Sequence, residues 1–216
     1  MGISADLAVY YVRAGWLKRL APGVFLRAND RLDLHPSLAW LQRQMVGLHV
    51  GGKTALDWFG VRHYLSQAPL LQLYGASSAK LPPWFTEAFP ASYHRKRLFA
   101  EAAQAPMHVG PHEGRAGAPL VSAPERALLE MLSEVGVRQP LQEARELIDS
   151  TFNLRAGVLQ ELLQHCQSVK TVRLCLQLGK EAQMPWIGRL DVSALPTGSQ
   201  GRWVARTPEG LLVLQA

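Results

Sequence analysis

Residues 4–27 place a short helical segment directly before two β-prone runs that are joined by a Pro-Gly pair. Ser4 is a suitable N-cap for a helix over residues 4–14, and Gly15 is suitable for the position just after its end. The runs WLKRL and VFLR on either side of the Pro-Gly pair indicate a β-hairpin. A helix followed at once by a hairpin is the second half of a winged helix-turn-helix, so this order predicts that architecture.

The two faces of the predicted helix have different expected roles. Leu7, Tyr11 and Ala14 follow the spacing i, i+4, i+7, which predicts that they form the buried stripe. In a winged helix the helix enters the major groove and the wing reaches the backbone or the minor groove, so the outward helix positions and the basic hairpin positions become candidate contacts. The candidate DNA-binding residues are Ser4, Asp6, Val9, Tyr10, Arg13, Lys18, Arg19, Arg27 and Arg31.

The positive charge of the chain is concentrated in its first half. The formal net charge is +6, yet residues 1–100 contain 12 Lys and Arg against 5 Asp and Glu, whereas residues 101–216 contain 11 against 12. This asymmetry favours a polyanionic partner for the first half, most simply nucleic acid. No apolar run is long enough to span a membrane, and the first thirty residues lack a signal-peptide core, which together favour a cytoplasmic protein.

The remainder of the chain has a mixed pattern. Residues 28–36 are polar and turn-rich, so the sequence predicts two domains: residues 1–31, a partial winged helix, and residues 35–216, a mixed α/β domain with a helical block and closing strands. The fold class is therefore α+β. Predicted helices cover residues 37–46 with Ser37 as cap, 53–60, 125–132 after a capping box at Ser122, 140–149, 156–166 and 169–179. Predicted strands cover residues 70–75, 92–99 as an exposed basic strand, 105–109 and three runs after Pro185 (IGRLDV, GRWVAR and LLVLQ). Two prolines in residues 81–85 exclude a regular helix or a central strand there.

A string match to a phosphate-binding loop occurs at residues 47–54, GLHVGGKT. In such a loop the backbone amides hold phosphates, Lys53 would contact the β- and γ-phosphates, and Thr54 would bind Mg²⁺. The preceding run WLQRQM is amphipathic and helical, whereas a phosphate loop follows a buried parallel strand. We therefore expect a tight Gly-Gly turn into a helix and no nucleotide cofactor.

Other chemistry has weaker support. His108, His112 and Glu113 cluster in sequence with His94 upstream, but Gly110-Pro111 breaks their spacing, so no metal site is expected. The carboxylates Glu87 and Glu101 lie near the basic strand, as in a degenerate nuclease-like site, but without a matching acid and lysine pattern. The cysteines, Cys166 and Cys175, are expected to be reduced, buried thiols.

Several stretches together resemble one family. GISADLAVYYVRAGWLKRLAPGVFLR resembles the recognition helix and wing of AbiEi-family antitoxins, the transcriptional-regulator half of type IV (AbiE) toxin–antitoxin and abortive-infection systems. HVGGKTALDWFGVRHYL and LPPWF resemble the opening of the family's second domain. SAPERALLEML and SVKTVRLCLQL resemble two of its later helices, so the resemblance extends over nearly the whole chain.

The resemblance implies a bacterial autorepressor that binds repeats in the promoter of its own operon. It also implies an antitoxin that counteracts a nucleotidyltransferase-like toxin, with DNA binding in the N-terminal region and antitoxicity in the C-terminal domain. Members of the family are not known as enzymes. Family members usually carry further residues before the GIS stretch, so the resemblance also implies that the first helices of the winged helix are missing here.

Two other functions remain open from the residues. The first is a nucleotide-binding or degenerate nuclease-like enzyme that uses residues 35–216. The second is an interaction module without chemistry, in which the helices between residues 123 and 180 bind a partner protein.

Overall fold

A computed structural model of the chain describes residues 4–61, 70–102, 105–207 and 210–214. Within these ranges the chain forms eight α-helices and nine β-strands, which confirms the α+β class. The helices are α1 (Ala5–Arg13), α2 (Leu34–Gln44), α3 (Gly52–Trp58), α4 (Pro83–Ala88), α5 (Pro124–Ser133), α6 (Leu141–Ile148), α7 (Ala156–His165) and α8 (Val169–Glu181). The strands are β1 (Leu17–Ala21), β2 (Val24–Arg27), β3 (His49–Val50), β4 (Leu71–Gly75), β5 (Ala91–Arg95), β6 (Val109–Pro111), β7 (Leu120–Ser122), β8 (Trp203–Thr207) and β9 (Gly210–Leu214).

The N-terminal unit is the helix and hairpin that the sequence predicts. The hydroxyl of Ser4 accepts a hydrogen bond from the backbone N–H of Leu7 at 3.2 Å, which caps α1. The helix ends where Gly15 adopts a φ of +76°, and the chain turns directly into β1. Strands β1 and β2 pair antiparallel around a turn in which Gly23 has a φ of +73°. This unit is the helix and wing of a winged helix.

The buried side of α1 differs from the predicted stripe. Leu7 is 39% exposed and Ala14 is exposed, whereas Ala8 is only 3% exposed. Tyr11 and Val12 are half-buried, so the inward side runs through Ala8 and the residues three and four positions after it. Ala8 is thus the buried position of α1, and the i, i+4, i+7 spacing from Leu7 does not identify it.

Strands between His49 and Ser122 form a five-stranded mixed sheet with the strand order β5-β4-β3-β7-β6. Strand β3 pairs antiparallel with β4 and parallel with β7, while β4 and β5 are parallel and β6 and β7 are antiparallel. The exposed basic strand predicted over residues 92–99 is only partly right. Strand β5 lies at the edge of the sheet but ends at Arg95, and it is largely covered because Ala91 and Tyr93 pack against the core. Leu98 and Phe99, beyond the end of the strand, are buried. Helices α2 and α3 flank β3 in the chain, and the side chain of Gln42 in α2 exchanges hydrogen bonds with the backbone of Leu120 in β7.

The helical block packs around α5. Every residue from Glu125 to Ser133 is buried, although three of them are charged. Helix α5 contacts α3, α6, α7 and α8, and it is therefore the central element of the core. Helix α8 begins at Ser168, whose hydroxyl accepts from the N–H of Thr171 at 3.3 Å. The hairpin of β8 and β9 closes the described chain and contacts α8 through β9.

Three predictions about the starts of helices were wrong. Residues 81–85 were expected to exclude a regular helix, but α4 begins at Pro83, because the first helical position needs no N–H donor. Ser122 does not cap α5, since Ala123 is the N-cap and the Ser122 hydroxyl bonds to Glu130 instead. Ser37 lies inside α2, which starts three residues earlier.

Two predicted strands also need correction. The run IGRLDV forms two 3-10 helices, Ile187–Arg189 and Val192–Ala194, because tight i→i+3 turns satisfy its backbone. The strand expected over residues 105–109 starts only at Val109, where it pairs with β7. The last residues of the predicted linker, 34–36, belong to α2. Within the stretches that carry the family resemblance, residues 2–3 and 62–65 lie outside the described residues.

Candidate nucleic-acid interface

The structure brings the predicted DNA-binding residues together on the helix and hairpin of the N-terminal unit. All nine are exposed to solvent. Ser4 is the N-cap of α1, and Asp6, Val9, Tyr10 and Arg13 lie within this helix. The strands of the hairpin carry Lys18, Arg19 and Arg27, and Arg31 follows the hairpin. This surface, which we call the helix–wing surface, combines a helix face with five cationic side chains.

Some residues of α1 within this surface stabilise the helix itself, whereas others present their side chains to solvent. Ser4 uses its hydroxyl to cap the helix, so its contribution is to fix the start of α1. Asp6 lies in the first turn and Arg13 in the last, where each complements the helix dipole. Val9 is 46% exposed and Tyr10 is 63% exposed, so the outward face of α1 offers apolar and hydrogen-bonding groups beside Arg13.

The pairing register of the hairpin sorts its cations onto two faces. Leu17 lies opposite Arg27, and Lys18 lies opposite Leu26. Directly opposed residues share a face and successive residues alternate, so Arg19 and Arg27 point to one side and Lys18 points to the other. The wing therefore presents positive charge on both of its faces.

Sequence reasoning missed one prominent residue of this unit. Trp16 is 70% exposed, and its ring stacks on that of Tyr11 with 5.9 Å between centroids and 11° between planes. A shallow groove beside this pair is lined by Arg27, Asn29 and Asp30. The signal in the sequence is the Gly15-Trp16 step, which places a large aromatic residue at the point where the helix turns into the wing.

Two backbone amides of the GGKT segment donate hydrogen bonds to side chains of the protein itself. Gly51 caps α3, and the N–H of Gly52 donates to Oε2 of Glu130 at 3.2 Å. The N–H of Lys53 donates to the side chain of Gln72 at 2.8 Å, and its ammonium pairs with Glu143 at 2.7 Å. The carboxylate of Glu130 thus takes up the Gly52 N–H, one of the amides that would hold a phosphate in a phosphate loop. The prediction of a Gly-Gly turn into a helix is confirmed, although a short buried strand, β3, does precede it.

Glu130 is the centre of a buried network, which we call the Glu130 hub. Its Oε1 accepts from Nε2 of His49 at 2.9 Å and from Nε of Arg126 at 2.7 Å. Its Oε2 accepts from the hydroxyl of Ser122 at 2.8 Å, in addition to Gly52. Nδ1 of His49 lies 2.7 Å from the carbonyl oxygen of Gly47, so both ring nitrogens of His49 face oxygen atoms.

The charges of the hub determine its protonation. Burial alone would raise the pKa of Glu130, but the positive charges and hydrogen bonds of His49 and Arg126 outweigh it and lower this pKa to about 2. Arg126 extends the network, since its guanidinium pairs with Glu101 at 2.7 Å and lies over the ring of Phe99. The hub joins β3, α3, β7 and α5, so its role is to hold the sheet to its helices.

A second charged cluster lies at the end of α5. Glu134 accepts from the ammonium of Lys96 at 2.8 Å and lies 3.5 Å from Nδ1 of His94. Burial opposes ionisation of Glu134, but these two partners lower its pKa to about 2. Lys170 donates to the carbonyls of Ser133 and Val135 at 2.8 Å each, and burial is the main cause that lowers its pKa to about 8. Lys96 also donates to the carbonyl of Ser133, so both lysines satisfy the last carbonyl of α5.

The residues named for metal or nuclease chemistry do not assemble into one site. His108 pairs with Glu161, His94 pairs with Glu134, and His112 lies against the ring of Trp58. Throughout the described parts of the chain, no group of three or more His, Cys, Asp or Glu residues could hold a metal ion. Glu101 is held by Arg126, and Glu87 lies exposed on α4.

The cysteines and the membrane prediction can be compared with the structure directly. Cys166 and Cys175 are free and buried, as predicted, and burial raises the pKa of the Cys166 thiol to about 11. None of the described helices is long and apolar enough to cross a membrane.

Two family models together match almost the whole chain. The N-terminal domain model of AbiEi antitoxin transcriptional regulators matches residues 1–67. The model described as "Transcriptional regulator, AbiEi antitoxin, Type IV TA system" matches residues 68–215. The chain belongs to the AbiEi family. The resemblance seen in the sequence is thereby confirmed, and AbiEi proteins are described as regulators and antitoxins, not as a class of enzymes.

Among solved structures, the AbiEi fold described here is similar to that of the RV2827C protein from Mycobacterium tuberculosis. The TM-score is 0.56 and the sequence identity is 15%, with 94% of this chain and 78% of the other chain covered. This similarity concerns the fold alone. No curated protein matches the sequence.

Proposed function

We propose that this chain is an autorepressor that binds the promoter DNA of its operon through the helix–wing surface. The observation that carries the proposal is that all nine candidate contact residues are exposed on one helix–hairpin unit. Family membership supports the regulatory role. In the proposed complex α1 lies in the major groove and the hairpin follows the backbone.

The charged residues have separate proposed tasks. Arg13, on the outward face of α1, reads a guanine edge, and Tyr10 beside it makes an apolar or hydrogen-bonded base contact. Lys18, Arg19, Arg27 and Arg31 bind phosphates and fix the orientation of the protein without reading sequence. The opposite orientation of Lys18 and Arg27 on the hairpin supports contacts with phosphates on both sides of the wing.

The test compares substitutions of Arg13 and Lys18 in the full chain by fluorescence anisotropy on native upstream DNA and on a scrambled duplex. Arg13→Ala should cost about 1–3 kcal/mol on the native duplex and little on the scrambled one. Lys18→Ala should weaken both similarly and reduce the slope of log affinity against log salt by about 1. Arg189→Ala, which removes an exposed arginine from a distant 3-10 helix, is the matched control.

Equal losses on the two duplexes for Arg13→Ala would contradict its assignment as a reading residue. An unchanged salt slope for Lys18→Ala would contradict its phosphate contact. A loss of affinity as large for Arg189→Ala would mean that overall charge, and not the helix–wing surface, governs binding.

We further propose that residues 35–216 counteract a nucleotidyltransferase-like toxin encoded by the neighbouring gene. The division at residues 31–35 is supported by α2 and α3, which flank the central strand β3 and so belong with the sheet. The two family models instead meet between residues 67 and 68. The toxin should be expressed from an unrelated promoter, so that repression cannot lower its amount.

In that assay the triple variant Arg13→Ala, Lys18→Ala, Arg27→Ala should rescue growth as well as the unmodified chain. Loss of rescue with the triple variant would show that antitoxicity needs the helix–wing surface and would contradict this division of labour.

A further inference from the structure

Three aromatic side chains form a continuous exposed strip between α1 and the hairpin. The rings of Tyr10 and Tyr11 lie 5.8 Å apart between centroids, and Tyr11 stacks on Trp16 at 5.9 Å. Tyr10 is 63% exposed and Trp16 is 70% exposed, while Tyr11 between them is half-buried. We call these three residues the aromatic strip. It runs from Tyr10, a predicted base contact, to Trp16, the residue just before β1.

The exposure of Trp16 sets it apart from the other tryptophans of the described chain. Trp84 and Trp186 are buried, and Trp40, Trp58 and Trp203 are half-buried. Tryptophan contributes a large apolar surface that is favourable to remove from water, and exposed aromatic residues of this kind mark surfaces that bind a partner. The near-parallel ring of Tyr11 lies beside the indole and favours this orientation of the Trp16 side chain.

The charges around the strip indicate what kind of partner it takes. The N–H of Ala28 donates to the carbonyl of Trp16 at 3.0 Å, so the hairpin pairing extends to Trp16. Alternation along β1 then places Trp16 and Lys18 on the same face, and Arg13 ends the helix on the other side of Gly15. A two-fold contact between copies of the chain would bring these cations together, which is unfavourable.

Asp30 is the single acidic side chain among the residues that line the groove beside the strip. Double-stranded DNA fits the remaining chemistry, because its deoxyribose rings offer apolar surface directly beside negative phosphates. Exposed aromatic rings contact that surface while neighbouring cations pair with the phosphates.

We propose that Trp16, supported by Tyr11, packs against the deoxyribose backbone of double-stranded DNA and is a main apolar anchor of the protein–DNA complex. This inference rests on the proposed function and adds to it a residue that carries no charge. Trp16 therefore contributes to affinity on any duplex, and it leaves the number of neutralised phosphates unchanged.

The test measures the affinity of full-chain variants for duplex DNA over a range of salt concentrations. Trp16→Ala should weaken binding by about fivefold to tenfold, with the slope of log affinity against log salt unchanged. Trp16→Phe should restore most of the loss, because a ring can still stack on Tyr11. Phe152→Ala, which truncates a 56%-exposed aromatic residue of the second domain, is the control and should bind as the unmodified chain does.

A second variant tests the groove without altering the ring. Asp30→Asn removes the acidic group beside the strip and should tighten binding by about twofold or more, because phosphates approach it closely. Its side chain is exposed, so the substitution should leave folding unchanged.

The failures of the two proposals are distinguishable. If the unmodified chain binds DNA and Trp16→Ala binds equally well, the aromatic strip is not a contact, while the helix–wing surface stands. A reduced salt slope for Trp16→Ala would also overturn the anchor, because it would mean that the ring acts by positioning cations. A self-associated chain that Trp16→Ala converts to monomers in sedimentation would assign the strip to a second copy. No DNA binding by the unmodified chain would overturn both proposals.

Discussion

Replacement of Glu130 by glutamine tests the buried hub that joins the sheet to its helices. Glu130→Gln keeps the size of the side chain but turns one acceptor oxygen into a donor nitrogen. One oxygen of Glu130 faces His49 and Arg126, and the other faces Gly52 and Ser122, so every position for the new amide meets donors. The substitution also removes the negative charge that the buried guanidinium of Arg126 faces at 2.7 Å.

Two separate considerations give a similar magnitude for this loss. Removal of one partner from a buried ion pair costs about 3–5 kcal/mol, and the lower end applies here because Arg126 keeps Glu101 as a second partner. The shift of the pKa of Glu130 from 4.5 to about 2 corresponds independently to about 3 kcal/mol, at about 1.4 kcal/mol for each unit. We therefore expect Glu130→Gln to lower the free energy of unfolding by about 3 kcal/mol.

Urea unfolding of the full chain at neutral pH, followed by circular dichroism, measures this difference. Glu161→Gln is the matched control, because it makes the same chemical change in an exposed carboxylate that pairs with His108. Its effect should be at most about 1 kcal/mol. A loss for Glu130→Gln no larger than that of the control would refute the argument, because it would mean that the buried carboxylate contributes nothing that an amide cannot.

Three further predictions follow from particular contacts. The pKa of Glu130 is lowered in the folded protein, so its ionised form stabilises the fold fully above about pH 4.5, and this stabilisation is lost as pH falls towards about 2. Lowering the pH over this range should therefore reduce the free energy of unfolding of the unmodified chain more than that of Glu130→Gln. Gly179→Ala should lower the unfolding free energy by about 1–3 kcal/mol in the same urea assay, because the new Cβ would overlap the ring of Trp186. Titration with millimolar ATP or GTP should give no saturable binding, because the loop amides already bond to Glu130 and Gln72. Lys53→Ala should leave that result unchanged. Saturable nucleotide binding that Lys53→Ala abolishes would contradict the prediction.

The N-terminal unit was predictable because its signals are local. Ser4, Gly15 and Gly23 each determine one turn of the backbone through contacts with residues at most a few positions away. The orientation of α1 was not predictable in the same way, since the spacing from Leu7 selects a face that is exposed at Leu7 and Ala14. The buried residue is Ala8, whose position does not follow from that spacing.

The Glu130 hub lay beyond sequence reasoning for a different reason. Glu130 is 81 residues from His49 and 78 residues from Gly52 along the chain. Glu125, Arg126 and Glu130 are spaced as the polar face of an amphipathic helix, which ordinarily faces water. Here that face is buried because each charge meets a partner from another element. The sequence match at GGKT likewise could not show which group the loop amides bind. Only the folded structure brings the carboxylate of Glu130 to the N–H of Gly52.

Binding of the unmodified chain to DNA tests most directly whether the helix–wing surface reads sequence. Fluorescence anisotropy should compare the duplex upstream of its own gene with a scrambled duplex of equal length at two salt concentrations. We expect tighter binding to the native duplex at both salt concentrations, with the advantage retained as salt increases. Equal binding to both duplexes that disappears with salt would reduce the surface to a non-specific basic patch, and no binding to either would contradict the claim.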